Sequence, residues 1–384
     1  MSRCLTPDRR PRQSLVARCL SQWNRITGLI APRSAKTHLN GSNMISTLPE
    51  IASYNNINKS KFEAEIVPAG QPAVLRGLVA DWPIVAAARK SDQALTAYLA
   101  RRANARAGEI WVAQPTIEGR FGFNSALDGY NFERKLASIG QLLDLLTRQK
   151  DDEYPWGLYA GALLLSDHAP QLLMENFLPL LDPDRDMLVS LWLGNRTHTH
   201  AHWDLPQNLA CVVAGKRRFT VFPPSAVENL YVGPIDFTLA GQPSSLANID
   251  SPDFERFPKL RAAYTVAKSA ELLPGDVIYI PSMWWHAVDS LSAIGGLINY
   301  WWRDGPSEMM SPQRSLQHSL MTMSELPLME RKAWKALFDH YVFRESGDPA
   351  AHLPVSARGI LGRPTRTMIG RLKKILIKSL EDQR

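Results

Sequence analysis

Between Met187 and Trp302 the chain is cut into short segments by closely spaced turns, and that rhythm narrows the available folds more than any other feature. Met187–Leu193, Asn208–Val213, Arg217–Phe222, Ala262–Ala267, Ala270–Leu273, Val277–Ile280, His286–Ser290 and Gly296–Trp302 are all of strand length and mostly rich in apolar or β-branched residues. Ala214-Gly215, Pro223-Pro224, Pro274-Gly275-Asp276 and Gly295-Gly296 supply the turns between them. Many short strands with tight connections predict a barrel or a jelly roll.

The flanks read differently. Upstream, helices are predicted near Lys59–Glu65, over 91–103, at Ile139–Arg148 and at Gln171–Leu180, with strands at Ala73–Leu78, Glu109–Gln114 and Trp156–Ala162. Downstream the pattern becomes helical at Met309–Leu320, Pro327–Tyr341 and Thr365–Leu380. In the last of these, Met368, Ile369, Leu372, Ile375, Leu376 and Leu380 recur at helical spacing, a stripe suited to its own domain or to a second subunit. Three regions follow: a basic, disordered extension at 1–43, a β-rich domain at 44–305, and a helical region at 306–384.

The formal net charge of +7 resides in the ends. Residues 1–43 carry eight Lys/Arg against Asp8 alone, and 355–384 carry eight against Glu381 and Asp382, so the body between is mildly acidic. A nucleic-acid partner would therefore rest on the tails, where a solvated segment is the commoner explanation. Cys4, Cys19 and Cys211 form no CxxC, so neither a disulfide framework nor a thiolate metal site is expected. No apolar run approaches the ~18 residues of a membrane span. The first 43 residues share Arg-richness with transit peptides, but domain-like patterning starts at Met44, and a cytoplasmic location is expected.

Three of the nine histidines fall in Thr197-His198-Thr199-His200-Ala201-His202-Trp203-Asp204. On an extended strand residues i and i+2 share a face, so His202 and Asp204 can present an imidazole and a carboxylate to one point. By the same parity His198 and His200 join that face, as surface groups or as part of a substrate site. A third ligand from a distant strand would complete a two-His-one-carboxylate facial triad, and His286, after the Pro274-Gly275-Asp276 turn, is a candidate. Such a triad leaves adjacent positions open on Fe(II), although imidazole ligands suit zinc as well.

These residues belong to a longer run of motifs. Thr199-His200-Ala201-His202-Trp203-Asp204, Gln207-Asn208, Gly215-Lys216-Arg217-Arg218-Phe219, Phe222-Pro223-Pro224, the segment Asp250–Pro258, Trp284-Trp285-His286 and Asn299-Tyr300-Trp301 occur in that order. In that order they resemble the JmjC-type, cupin-like oxygenases, which include the asparaginyl hydroxylase called factor inhibiting HIF. Val74–Leu78 and Asp81-Trp82-Pro83 extend the likeness more weakly toward Met44.

The resemblance implies a mainly β fold, a double-stranded β-helix with N-terminal α/β decorations and a C-terminal helical segment. It implies Fe(II) held by His202, Asp204 and His286, with 2-oxoglutarate and O₂ as cosubstrates. Arg217, Thr199 and Tyr159 match the positions that meet the distal carboxylate of 2-oxoglutarate, and Asn208 and Asn299 match positions lining the pocket. The family commonly has Lys where Arg217 stands. Neighbouring strand residues face opposite ways, so Arg217 and the adjacent Lys216 cannot both point inward. Trp285 and Trp301 are expected to wall the site.

Pro243-Ser244 occupy the place of an Arg-Gln pair that holds the peptide in the asparaginyl hydroxylase. The likeness thus reaches the fold and the metal chemistry and stops short of the substrate. A protein side chain, a tRNA base or a small metabolite all fit, and a homodimer through the C-terminal helices is expected from related enzymes. A non-oxygenase metal cupin or a silent binding module are the alternatives.

Overall fold

The computed structural model describes residues 44–305, 311–363 and 365–381. The expected extension at 1–43 lies outside them, as do Cys4, Cys19 and the first residues of the helix expected from Met309. The chain divides into two compact units, one formed by residues up to Asp182 with Val189–Tyr300, the other by Pro183–Leu188 with Trp301–Arg384.

The first unit is built on fourteen strands: β1 (Ser53–Asn55), β2 (Ala73–Arg76), β3 (Gly108–Ala113), β4 (Arg120–Phe121), β5 (Glu133–Ala137), β6 (Gly157–Leu164), β7 (Met187–Gly194), β8 (His198–His202), β9 (Gln207–Ala214), β10 (Arg217–Phe222), β11 (Lys268–Leu272), β12 (Val277–Ile280), β13 (Trp285–Ser290) and β14 (Gly295–Trp302), the ends of β7 and β14 crossing into the second unit. They form a larger sheet ordered β1-β2-β12-β9-β14-β7-β6-β3-β5 and a smaller one ordered β11-β10-β13-β8-β4. The last eight strands contribute four to each sheet, which is the jelly roll expected from the turn rhythm. The earlier strands widen the larger sheet on both edges and add β4 to the smaller one.

Sequence signals account for the local elements. Ser138 and Gln141 form a reciprocal capping box that starts the helix Ile139–Arg148, whose Ile139, Leu142, Leu143 and Leu146 are buried. Ser91 caps Asp92–Ala100 by accepting from the Ala94 amide. The helix Pro83–Lys90, which apolar periodicity did not mark, begins with Pro at its first position, where the missing N–H costs nothing.

Ala262–Ala267, expected as a strand, is wrong in type: Leu260–Tyr264 is helical. Leu260, Ala263, Tyr264 and Ala267 are the buried residues, a 3, 1, 3 spacing that belongs to a helix rather than to a strand. Gln171–Leu180, expected as a helix, is helical only over Pro170–Glu175.

In the second unit, helices run over Pro312–Met323, Leu328–Phe338 and Arg366–Glu381, close to the predicted spans. None of their residues is buried, and Trp334, Leu337, Ile375, Leu376 and Leu380 are exposed. Among the described residues no helix is long and apolar enough to cross a membrane.

Candidate metal centre and the pocket beside it

β8 and β13 run antiparallel, with His202 directly opposite His286. Their imidazole centroids are 4.3 Å apart. Asp204 lies just past the end of β8, and its Oδ2 stands 3.5 Å from His286 Nε2. One ligand atom from each of the three residues falls within 4.8 Å of the other two. The turn before His286 is fastened to the turn after His202: Met283 N donates to Asp204 O at 2.9 Å, and Ser282 Oγ donates to Leu205 O at 2.6 Å. The two ligand-bearing loops are therefore held as one piece.

Both rings are oriented from behind. His202 Nδ1 meets the His200 carbonyl at 2.9 Å, and His286 Nδ1 meets the Trp284 carbonyl at 3.0 Å. A carbonyl can only accept, so each Nδ1 carries the proton and each Nε2 keeps its lone pair for a metal. Burial, reinforced by His286, pushes the His202 imidazole down to about 4. Burial by itself would raise the Asp204 carboxyl, but the two imidazoles beside it, His286 foremost, take it below its ordinary range. At neutral pH the site thus holds a neutral His202 and a carboxylate, the state a divalent cation requires.

One consequence is a pH dependence with a defined sign. The unfolded chain protonates His202 near its ordinary 6.5, whereas the folded chain does so only near 4. The metal-free protein should lose stability as pH falls from about 6.5 to about 4, because the unfolded state then binds more protons. Thermal melting of metal-free wild type and His202→Ala across that window checks it; the variant should show a shallower dependence.

The pairing of β8 with β13 slips by one residue. Val288 lies opposite Thr199 although His286 lies opposite His202, so three steps on β8 match two on β13. This bulge corrects the expected parity of the three histidines. Thr199 joins His202 on the inner face, while His198 turns to the outer face, 2.9 Å from Asp289 and 3.5 Å from Asp250. His198, Asp250 and Asp289 also have metal-like spacing. Their carboxylates, however, already face cations: Arg218 lies 3.0 Å from Asp289, and Arg120 pairs with Asp250. That group is a balanced ion-pair network. Among the described residues, no Lys or Arg pairs with Asp204.

Register carries the inner face onward. Arg217 of β10 is opposite Ser290 of β13, which shares parity with Val288 and His286. Arg217 is 4% exposed, yet among the described residues no carboxylate pairs with it and its Nε has no hydrogen-bond partner. Lys216 instead extends to Glu271 at the surface, 2.9 Å away, so the inward cation is Arg217. Tyr159 of β6 is buried against the same spot. Burial raises its phenol to about 12, while Arg217 and Thr199 beside it pull the other way. Asn208 is buried with an unpartnered Oδ1, and Asn299 accepts a 2.7 Å hydrogen bond from Trp192 Nε1.

One expected wall is corrected: Trp285 follows the parity opposite to His286 and packs on the outer face with Ala201, Phe222 and Tyr264. Trp192 stands beside the pocket, held by Asn299 and 6.0 Å from the Tyr159 ring; nothing in its sequence neighbourhood singled it out. Ser244 forms an antiparallel bridge with His202, so the segment lacking the Arg-Gln pair does lie beside a candidate metal ligand.

This donor set suits Fe(II) with three positions open, and a buried guanidinium without a counter-charge suits the distal carboxylate of a bound oxo acid. Comparison with known proteins agrees with the fold. The chain is 23% identical over 286 residues to the lysine-specific demethylase JMJ31 of Arabidopsis thaliana, covering 66% of this chain and 50% of that protein. It is 33% identical over 141 residues to tRNA wybutosine-synthesizing protein 5 of Mus musculus, covering 33% and 42%. To JmjC domain-containing protein D of Dictyostelium discoideum it is 24% identical over 250 residues, covering 61% and 52%. The alignments span about half or less of these relatives' own length. Residues 59–308, well over half of the chain, match the family described as cupin-like domain, and the chain belongs to that family, in the company of proteins named for the JmjC domain.

Proposed function

We propose that the chain is an Fe(II)- and 2-oxoglutarate-dependent oxygenase that hydroxylates a C–H bond of a separate substrate. The observation that carries this is Arg217: a buried cation with no acidic partner among the described residues, on the same sheet face as two imidazoles. A structural zinc site or a silent cupin has no use for that guanidinium. Iron with 2-oxoglutarate and O₂ supplies C–H oxidation coupled to breakdown of the oxo acid to succinate and CO₂. His202, Asp204 and His286 would hold the metal. Arg217 binds the far carboxylate through its planar fork, with Thr199 and Tyr159 as hydroxyl partners, and so sets the oxo acid's direction. Asn208 and Asn299 line the space between.

The relatives' names include a lysine demethylase and a tRNA-modifying protein, so a protein side chain and a tRNA base are the leading substrate classes, with a small metabolite third. The test is isotopic. Purified protein with Fe(II), 2-oxoglutarate and a lysate of its own host under isotopically heavy O₂ should place heavy hydroxyl on one class of peptide, RNA or metabolite. Label in none of them, with 2-oxoglutarate unconsumed, would reject the reading.

A homodimer through the C-terminal helices is part of the proposal. Three helices with no buried residue, two of which expose Trp334, Leu337, Ile375, Leu376 and Leu380, support it, since apolar side chains left uncovered in this number suit an interface. Light scattering should give twice the chain mass for the wild type and the single-chain mass for Trp334→Glu combined with Leu337→Glu.

A further inference from the structure

We propose that Ser290 is a further cosubstrate-binding residue, whose hydroxyl donates to the same distal carboxylate that Arg217 receives, and that Gly295 lacks a side chain to leave room for it. The inference rests on reading this pocket as a 2-oxoglutarate site. Ser290 is 2% exposed, and its Oγ is buried with no hydrogen-bond partner. A serine hydroxyl left unmatched in a protein interior costs free energy, and native chains rarely keep one without a reason. Its place gives the reason. Ser290 lies directly across from Arg217, and its own amide is fixed by a 2.8 Å hydrogen bond to Thr197 O. The side chain shares the inner face with His286, two residue pairs along β13.

Gly295 shows where the hydroxyl aims. A Cβ built there would stand 2.7 Å from Ser290 Oγ and 3.9 Å from Arg217 Nη2. The hydroxyl and the guanidinium thus both border the side-chain position that Gly295 leaves unfilled, with the Ala214 carbonyl oxygen also 3.9 Å from it. Nothing else polar in Arg217's immediate register competes: its partner on the other side, on β11, is the fully buried Leu272. An anion seated there would accept from the guanidinium fork and from Ser290 together, satisfying two groups that the protein alone leaves unpaired.

The test is calorimetric titration of 2-oxoglutarate into Mn(II)-loaded protein under nitrogen, alongside 2-oxopentanoate, which keeps the chelating end and lacks the distal carboxylate. Ser290→Ala should weaken 2-oxoglutarate about tenfold or more, the usual worth of a hydrogen bond to a charged group, and leave 2-oxopentanoate unchanged. Gly295→Ala, which retains the serine but forces its hydroxyl to rotate away, should weaken 2-oxoglutarate similarly. Metal-free Ser290→Ala should melt at or above the wild-type temperature, because an unpaired buried hydroxyl has gone. Unchanged 2-oxoglutarate affinity, equal weakening of both acids, or a markedly lower melting temperature in Ser290→Ala would overturn the assignment. A wild type that binds metal but neither acid would instead bring down the cosubstrate reading itself.

Discussion

An Asp204→Ala chain is expected to fold as the wild type does and to lose turnover of 2-oxoglutarate altogether. The carboxylate is the only anionic donor among the three ligands, and its contact in the fold is to His286 at 3.5 Å, so little of the scaffold depends on it. Its loss leaves two neutral imidazoles, which cannot offset the charge of a ferrous ion. The weakening of metal affinity should exceed the roughly 10–100-fold that loss of an outer hydrogen-bonding partner costs. His202→Ala should behave in the same way. Metal titration followed by a succinate assay checks both, and circular dichroism checks the fold. Either variant retaining wild-type succinate release would remove its residue from the metal centre.

Arg217→Ala is expected to raise the 2-oxoglutarate requirement roughly a hundredfold or more, on the footing of two charge-assisted hydrogen bonds worth about 1.5–3 kcal/mol each. Metal affinity should be untouched, because Arg217 neighbours Ser290 in register rather than the ligands. The metal-free variant should be no less stable than wild type, since a buried cation without a partner is itself costly. Arg217→Lys should fall between, keeping the charge and losing the fork. Kinetics over a range of 2-oxoglutarate concentrations separate these outcomes, and an Arg217→Ala enzyme with unchanged dependence would refute the assignment.

Much of this site could be read from residues alone, and the failures share a cause. Turn chemistry at Pro223-Pro224 and Pro274-Gly275-Asp276 outlined the jelly roll, because turn residues act locally, whereas Gly295-Gly296, read as a turn, instead open β14. The triad followed from the order of motifs. What local reading missed depends on pairing. The bulge in β8 is a property of two strands together, and it moved Thr199 inward and His198 outward against simple alternation. Trp285 looked like a wall because it adjoins His286, yet adjacency along a strand means opposite faces. Trp192 was overlooked because its role comes from Asn299, 107 residues away. At 260–267 the short alanine-rich run was compatible with either period, and burial chose the helix. The unpartnered state of Arg217 and Ser290 is likewise visible only once their surroundings are known.

The most direct measurement is succinate release in the absence of any added substrate. Protein purified without oxygen, loaded with Fe(II) and 2-oxoglutarate and then opened to air, should form succinate slowly, and Asp204→Ala treated identically should form none. Tightly retained zinc with no succinate from the wild type would contradict the account.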